Sequence, residues 1–270
     1  MTRELEVAIG AAKSAGDIIV HYYESGYEVK DKGFSFISSG PNPVTSADRA
    51  SDSHLKEVLL SAFPGYGWLS EETVDSPERL TKERVWVIDP LDGTKEFIER
   101  IPNFVVSIAL VEDHLPVLGV LYNPMTGEAF TAVKGAGAKL NGEPIRCSSK
   151  AEPREMVMLN SRSETRKGLW KPYVESFLEL RAVGSVSYKL GLTAAGKADV
   201  FASLRPKHEW DICAGHCLVN EAGGNLVTLK GEDITYNHEN TLIPFGLVGG
   251  NPLGVDNTLN VLTGGRVFHG

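Results

Sequence analysis

The chain has 270 residues, of which 42% are hydrophobic and 23% charged, the composition of a globular protein with a real core. Gly 28 and Pro 14 together stay below the ~25–30% share that marks low complexity. The net charge of −8, from 27 basic and 35 acidic side chains, argues against a nucleic-acid polymer as partner and calls for a cation wherever an anionic phosphate is to bind.

An amphipathic helix is predicted over residues 3–25, where Leu5, Ala8, Ala11, Ala12, Ala15, Ile18, Ile19 and Tyr22 recur at helical spacing. Residues 30–43 are polar and Gly-rich, a loop or loose hairpin. Ser46 or Asp48 suits the cap of a second helix running through Leu55, Val58 and Leu59 to Phe63, and Pro64-Gly65-Tyr66-Gly67 ends it. Trp68 and Leu69 begin a short strand that stops at Ser70-Glu71-Glu72. Val85-Trp86-Val87-Ile88 is a buried-strand signal, and a short helix is expected over 95–100. Strands at 104–111, 115–122 and 127–133 follow. Gly135, Gly137 and Gly142 mark a hairpin-type turn and do not fit the G-x-G-x-x-G spacing of a dinucleotide site. Beyond residue 150, strands are expected at 156–160, 200–203, 226–229 and 246–249. Helices are expected at 171–178, 188–196 and 211–221, the last closed by Ala222-Gly223-Gly224. The pattern is α/β, in two halves, 1–150 and 151–270, with layered helices and sheets.

The longest apolar stretches fall short of the ~20 residues that span a bilayer, and the first ten residues lack a signal-peptide core. Cys147, Cys213 and Cys217 are odd in number and form no C-x-x-C. Reduced thiols and a cytoplasmic setting are expected.

The chemistry concentrates in Asp89-Pro90-Leu91-Asp92-Gly93-Thr94. A hydrophobic strand delivers two carboxylates to a turn that Pro90 stiffens and that opens into a helix. The acids are hard oxygen ligands, and the Gly93 and Thr94 amides stand at a helix start, where anions bind. The plainer alternative is a strand-to-helix connection with Asp as cap. Glu71-Glu72 upstream and Glu209-Trp210-Asp211 downstream add acids at element ends, the arrangement Mg2+ needs, although Asp211 also suits an N-cap.

These segments carry a resemblance. The chain resembles the inositol monophosphatase superfamily of Mg2+-dependent, typically lithium-sensitive phosphomonoesterases. The two signatures stand as Trp86 to Thr94 and as Trp210-Asp211-Ile212-Cys213-Ala214-Gly215. The secondary pieces are Pro43 to Asp48, Ser70-Glu71-Glu72 and Asn220 to Gly224, and the match runs over residues 3–250. The resemblance implies an αβαβα sandwich, often as a homodimer, with two or three Mg2+ ions per site. Glu71, Asp89 and the Leu91 carbonyl would hold one ion, and Asp89, Asp92 and Asp211 the second; Glu71 would help hold a weaker third. Asp48 and Thr94 would orient the attacking water, and the Gly93 and Thr94 amides would hold phosphate oxygens.

Within the superfamily, Thr94-Lys95-Glu96-Phe97-Ile98 and Ser161-Arg162-Ser163 resemble the CysQ-like 3′(2′),5′-bisphosphate nucleotidases, with Glu164 where that branch has His. Leu204 occupies the place of the acid with which inositol phosphatases bind substrate, seven residues before Asp211. Lys189, with Arg162, Arg205 and Lys207, would serve a second anion, and Asp211 would also touch substrate. Ser203 stands where the nucleotidases carry Arg, and Val186 where they carry Ser. The expected reaction is conversion of adenosine 3′,5′-bisphosphate to AMP and phosphate. The alternative is an inositol-1-phosphatase or a broad sugar-phosphate phosphatase. An aspartyl-nucleophile phosphatase of the haloacid-dehalogenase type needs Asp-x-Asp, whereas this chain has Asp89-x-x-Asp92. His208 is expected at the pocket or on an exposed loop. His216, Cys213 and Cys217 are expected to pack, and Trp86 and Trp210 to fix the approach of the acids.

Overall fold

The structure, a computed structural model, describes residues 1–35 and 40–264. Residues 36–39 of the expected 30–43 hairpin, and 265–270 of the second half, lie outside the described residues. Helix α1 (Thr2–Ser25) opens the chain, followed by an antiparallel hairpin of β1 (Val29–Ser35) and β2 (Gly40–Thr45) and by α2 (Ser46–Ala62). Next come β3 (Gly67–Ser70), β4 (Arg84–Asp92), α3 (Thr94–Ile98), β5 (Val105–Glu112), β6 (Leu115–Asn123), β7 (Glu128–Val133), β8 (Gly137–Leu140) and β9 (Glu143–Ile145). The second half holds β10 (Val157–Ser161), α4 (Arg162–Arg166), β11 (Glu179–Val183), α5 (Val186–Ala194), β12 (Val200–Ser203), β13 (Lys207–His208), α6 (Glu209–Glu221), β14 (Asn225–Thr228), β15 (Leu242–Ile243), β16 (Leu247–Gly250) and α7 (Pro252–Thr263).

Strands β3 to β9 form one seven-stranded sheet in sequence order, and β11-β10-β12-β16-β14 form a five-stranded sheet. Side chains alternate along each strand, so each sheet feeds two cores. Trp86, Ile88, Val106, Ile108, Leu118 and Val120 pack against Ala8, Ala12, Ala15, Leu55 and Leu59 of α1 and α2. Their alternates Val85, Val87, Val105, Ala109 and Leu121 face inward, onto Leu190 of α5 and Ile212, Cys213 and Ala214 of α6. Phe201, Leu226 and Leu247 of the second sheet close that same core from the far side. Val200, Ala202, Val227 and Val248 point outward, to Val255, Leu259 and Leu262 of α7. The layers are α1/α2, sheet, α5/α6, sheet and α7, the αβαβα sandwich. Gly119 allows the contact of β6 with α6: a Cβ there would lie 2.5 Å from the Ala214 carbonyl.

Several boundaries differ from the sequence reading, each for a local reason. The cap of α2 is Thr45, because its hydroxyl accepts from the Ala47 amide while Asp48 Oδ2 accepts from the Thr45 amide at 2.8 Å, a capping box with Asp48 inside the helix. Helix α6 begins at Glu209 with His208 as cap, and Asp211 is again the acid of a capping box rather than the cap itself. The helix expected at 171–178 is a 3-10 turn over Lys171–Ser176, and the chain then enters β11, which the sequence did not announce. Helix α7, begun by Asn251 as cap and Pro252 in the first turn, was also missing from the sequence reading.

Candidate active site

Strand β4 runs through the acid motif, and its register explains how two acids three apart face one locus. Asp89 pairs with Ser107 but Asp92 pairs with Val105, so β4 carries one more residue than β5 between them. In a regular strand these side chains would point to opposite faces. The bulge restores both to the α5/α6 side and sends Leu91 into the opposite core. The chain then turns at Gly93 with φ 108°, where a Cβ would meet the Asn103 carbonyl and Phe104 Cβ at 2.9 Å. Only glycine suits that turn, and it places Thr94 at the start of α3.

Helices α5 and α6 both aim their N-termini at these acids. Asp92 Oδ2 accepts from the Ser187 amide (2.6 Å) and the Ser185 hydroxyl (2.7 Å). Asp211 Oδ2 accepts from the His208 amide (2.8 Å), and Ser187 Oγ donates to the Asp211 carbonyl, tying the two helix starts together. Asp89 Oδ1 accepts from the Leu91 amide. Thr94 Oγ1 donates to Asp48 Oδ1 at 2.8 Å and lies 3.3 Å from the Leu91 carbonyl. Glu71 and Glu72, at the end of β3, both pair with Lys32 of β1, at 2.8 and 2.6 Å.

A cleft of about 380 Å³ gathers Glu71, Asp89, Leu91, Asp92, Gly93, Thr94 and Asp211. Asp48 is buried beneath Thr94. Burial lifts the Asp89 carboxyl well above its ordinary range, and Glu71, Asp92, Asp211 and Asp48 push it further. Asp211 is pushed up to about 7 by burial and then by Asp92 and Glu71. Burial also raises Asp48 and Asp92. Such crowding of buried anions is the electrostatic signature of a site that takes a cation.

The donor set fits Mg2+, being all oxygen, and Asp89, Asp92 and Asp211 each keep an oxygen clear of protein hydrogen bonds among the described residues. The side chains do not close on an ion as they stand: among the described residues no three His, Cys, Asp or Glu form a group that would hold one. Lys32 is one physical reason, because its ammonium holds Glu71.

The basic residues singled out in the sequence also reach the cleft, though not as free cations. Lys189 is buried, donates to the Val183 (3.0 Å) and Ser185 (2.5 Å) carbonyls, and is lowered to about 8 by burial. Arg162 pairs with Glu96 and Glu99, each at 2.7 Å. Lys207 is buried against the Arg205 and Pro206 carbonyls. Glu164, in place of the expected His, is buried and accepts from Trp170 Nε1 and Ser203 Oγ. His208 lines the cleft, stacked on Trp210 at 4.4 Å, whereas Trp86 lies fully in the α1/α2-side core. His216 is buried against the Tyr236 hydroxyl and lowered to about 4. Lys32, Lys95, Arg166 and Ser185 line the cleft as well, and the sequence reading gave none of them a role. The one available signal was the position of Lys95 directly after Thr94.

With this geometry in hand, the comparisons with known proteins are decisive. The model of the inositol monophosphatase family matches residues 1–254. The chain belongs to the inositol monophosphatase family. It is 34% identical over 244 residues to inositol monophosphatase 2 of Solanum lycopersicum, covering 86% of this chain and 90% of that protein. It is 33% identical over 259 residues to the Nus factor SuhB of Escherichia coli K12, covering 92% and 91%. Among solved structures, the Thermotoga maritima IMPase superposes with a TM-score of 0.85 at 28% identity, covering 98% of both chains. The suhB protein of Bartonella henselae superposes with a TM-score of 0.83 at 28% identity, covering 97% and 98%. This family member is therefore a phosphatase by kinship, and no helix among its described residues is long and apolar enough to cross a membrane.

Proposed function

We propose that the protein is a Mg2+-dependent phosphomonoesterase that removes one phosphate from a 3′(2′),5′-bisphosphate nucleotide by direct attack of water. The observation that supports it is the convergence of Asp89, Asp92 and Asp211, from β4 and α6, beside the Gly93–Thr94 turn and the Asp48–Thr94 hydrogen bond. Glu71, Asp89 and the Leu91 carbonyl would hold one Mg2+, and Asp89, Asp92 and Asp211 another; Glu71 would also serve a weaker third. When bound, the cation supplies charge neutralisation at the phosphate, a lowered pKa for the attacking water and stabilisation of the leaving alkoxide.

The protein's own groups do the rest. Thr94 Oγ1 donates to Asp48, so its lone pair accepts a hydrogen bond from water and aligns it. Asp48 receives the proton through that hydroxyl, its raised affinity for protons suiting a base. The Gly93 and Thr94 amides hold phosphate oxygens.

The preference for a nucleotide rests on Leu204, which packs into the outer core with Met156 and Trp170 and supplies no acid for an inositol ring. A second reading, hydrolysis of inositol 1-phosphate or another sugar phosphate, is favoured by the relatives named inositol monophosphatase. Free Cys147, Cys213 and Cys217 suit a reducing, cytoplasmic setting, and the reading carries with it the family's usual homodimer. Phosphate release from adenosine bisphosphate, inositol 1-phosphate and fructose bisphosphate, with and without Mg2+, tests the proposal. A tenfold advantage in kcat/KM for inositol 1-phosphate, about 1.4 kcal/mol, would give the second reading the site.

A further inference from the structure

The cleft has a second charged wall that the acid cluster does not use. Lys95 follows Thr94 on α3, lines the cleft and is half-buried. Its ammonium makes no hydrogen bond or ion pair among the described residues. Burial, and then Arg166, hold that ammonium below the ordinary lysine range against the pull of Glu96, Glu99 and Asp31. Lys167 is held down in turn by burial and by Arg205 and Lys95. Lys95 of α3, Arg166 of α4 and Arg205 of the loop after β12 all line this cleft, in a chain whose net charge is −8.

Such like-charge crowding beside a cleft focuses a positive potential on whatever enters it. The other cations are otherwise committed: Arg162 to Glu96 and Glu99, Arg166 to Glu99, and Lys189 and Lys207 to backbone carbonyls. Lys95 keeps three donors for a ligand. Consecutive Cα atoms are ~3.8 Å apart, so its stem starts beside the amide turn within the same cleft.

We propose that Lys95 is the subsite for a second phosphate of the substrate, in place of Lys189. This rests on the reading of the acid cluster as a phosphomonoesterase. The recognised chemistry is a phosphate dianion on a small metabolite, either nucleotide or sugar.

The test compares kcat/KM for substrates with and without the second phosphate: adenosine 3′,5′-bisphosphate against adenosine 3′-monophosphate, and fructose 1,6-bisphosphate against fructose 1-phosphate. The native protein favours the bisphosphate of at least one pair, and the favoured pair names the source. Lys95→Gln lowers that preference about tenfold, through KM, as the loss of a charge-assisted hydrogen bond should. Lys95→Arg keeps most of it, and Lys139→Gln, exposed on β8, leaves it unchanged. An unchanged preference in Lys95→Gln, or an equal loss on both members of a pair, overturns the subsite while leaving the phosphatase reading intact. If the native protein releases phosphate from none of the four and none from inositol 1-phosphate, the phosphatase reading fails. Titration calorimetry with adenosine bisphosphate and adenosine monophosphate then decides the subsite by the same ratio.

Discussion

The Thr94 hydroxyl donates to Asp48 Oδ1 at 2.8 Å while Asp48 Oδ2 accepts from the Thr45 hydroxyl and amide. One carboxylate thus starts α2 and orients the threonine of the proposed reaction centre. Thr94→Ala should lower kcat by about 10²–10³ with KM within about threefold, since an aligned proton-transfer path is worth that range. Thr94→Ser should stay within about tenfold of the native enzyme. Steady-state kinetics on the preferred phosphate ester decide it, and an alanine variant with native kcat would remove Thr94 from the mechanism.

Asp89 is surrounded by four other acids, Glu71, Asp92, Asp211 and Asp48, and is buried together with Asp48 and Asp92. Asp89→Asn should abolish turnover, by more than about 10³-fold, because it removes an expected metal ligand. The same change deletes a buried like charge, so the metal-free variant should melt at or above the native temperature. Phosphate release and thermal unfolding by circular dichroism measure the two effects. An active Asp89→Asn would place the metal elsewhere.

Stability without metal should fall as pH rises. Burial and neighbouring acids push Asp211 and Glu72 to about 7, and Asp89 and Asp92 also lie above their ordinary range. Unfolded carboxyls titrate near ~4, so between that pH and ~7 the folded chain binds more protons than the unfolded one. The stability these groups lend is full below ~4 and is lost as pH passes through ~7. Metal-free protein should therefore melt several degrees lower at pH 8 than at pH 5.5. Saturating Mg2+ should raise the pH 8 value most, since it binds the ionised acids. Scanning calorimetry at both pH values, with and without Mg2+, gives the comparison. A metal-free Tm that climbs over this interval would contradict the picture of crowded acids.

Gly93 has φ 108° and no room for a Cβ, which would lie 2.9 Å from the Asn103 carbonyl. Gly93→Ala should cost about 1–3 kcal/mol in urea unfolding through backbone strain. It should also displace the Thr94 amide, so that KM for the phosphate ester rises together with the loss of kcat. A variant of native stability and activity would show that the turn tolerates a side chain.

Much of this protein was legible along the chain because the deciding interactions are local. The helical spacing of Ala8, Ala11, Ala12, Ala15 and Ile19 marks the buried face of α1, and Val85 to Ile88 marks a strand, whatever lies around them. The acid motif was equally plain, since Asp89, Asp92, Gly93 and Thr94 are neighbours in sequence. What tertiary structure decided is which charges remain available. Lys189 looked like a ligand for an anion, but its folded neighbours are two carbonyls; Arg162 looked free and is held by Glu96 and Glu99 from the other half of the chain. Lys95 stood in a stretch that marked the nucleotidase branch but had no role of its own, and it lines the cleft without a partner among the described residues. Even the shared orientation of Asp89 and Asp92 depends on the pairing of β4 with β5, because a bulge exists only relative to a second strand. Periodicity and caps are short-range properties that a few consecutive residues impose. The partner of a long charged side chain is set by whatever distant segment folding brings within ~4 Å of it, and no local pattern encodes that.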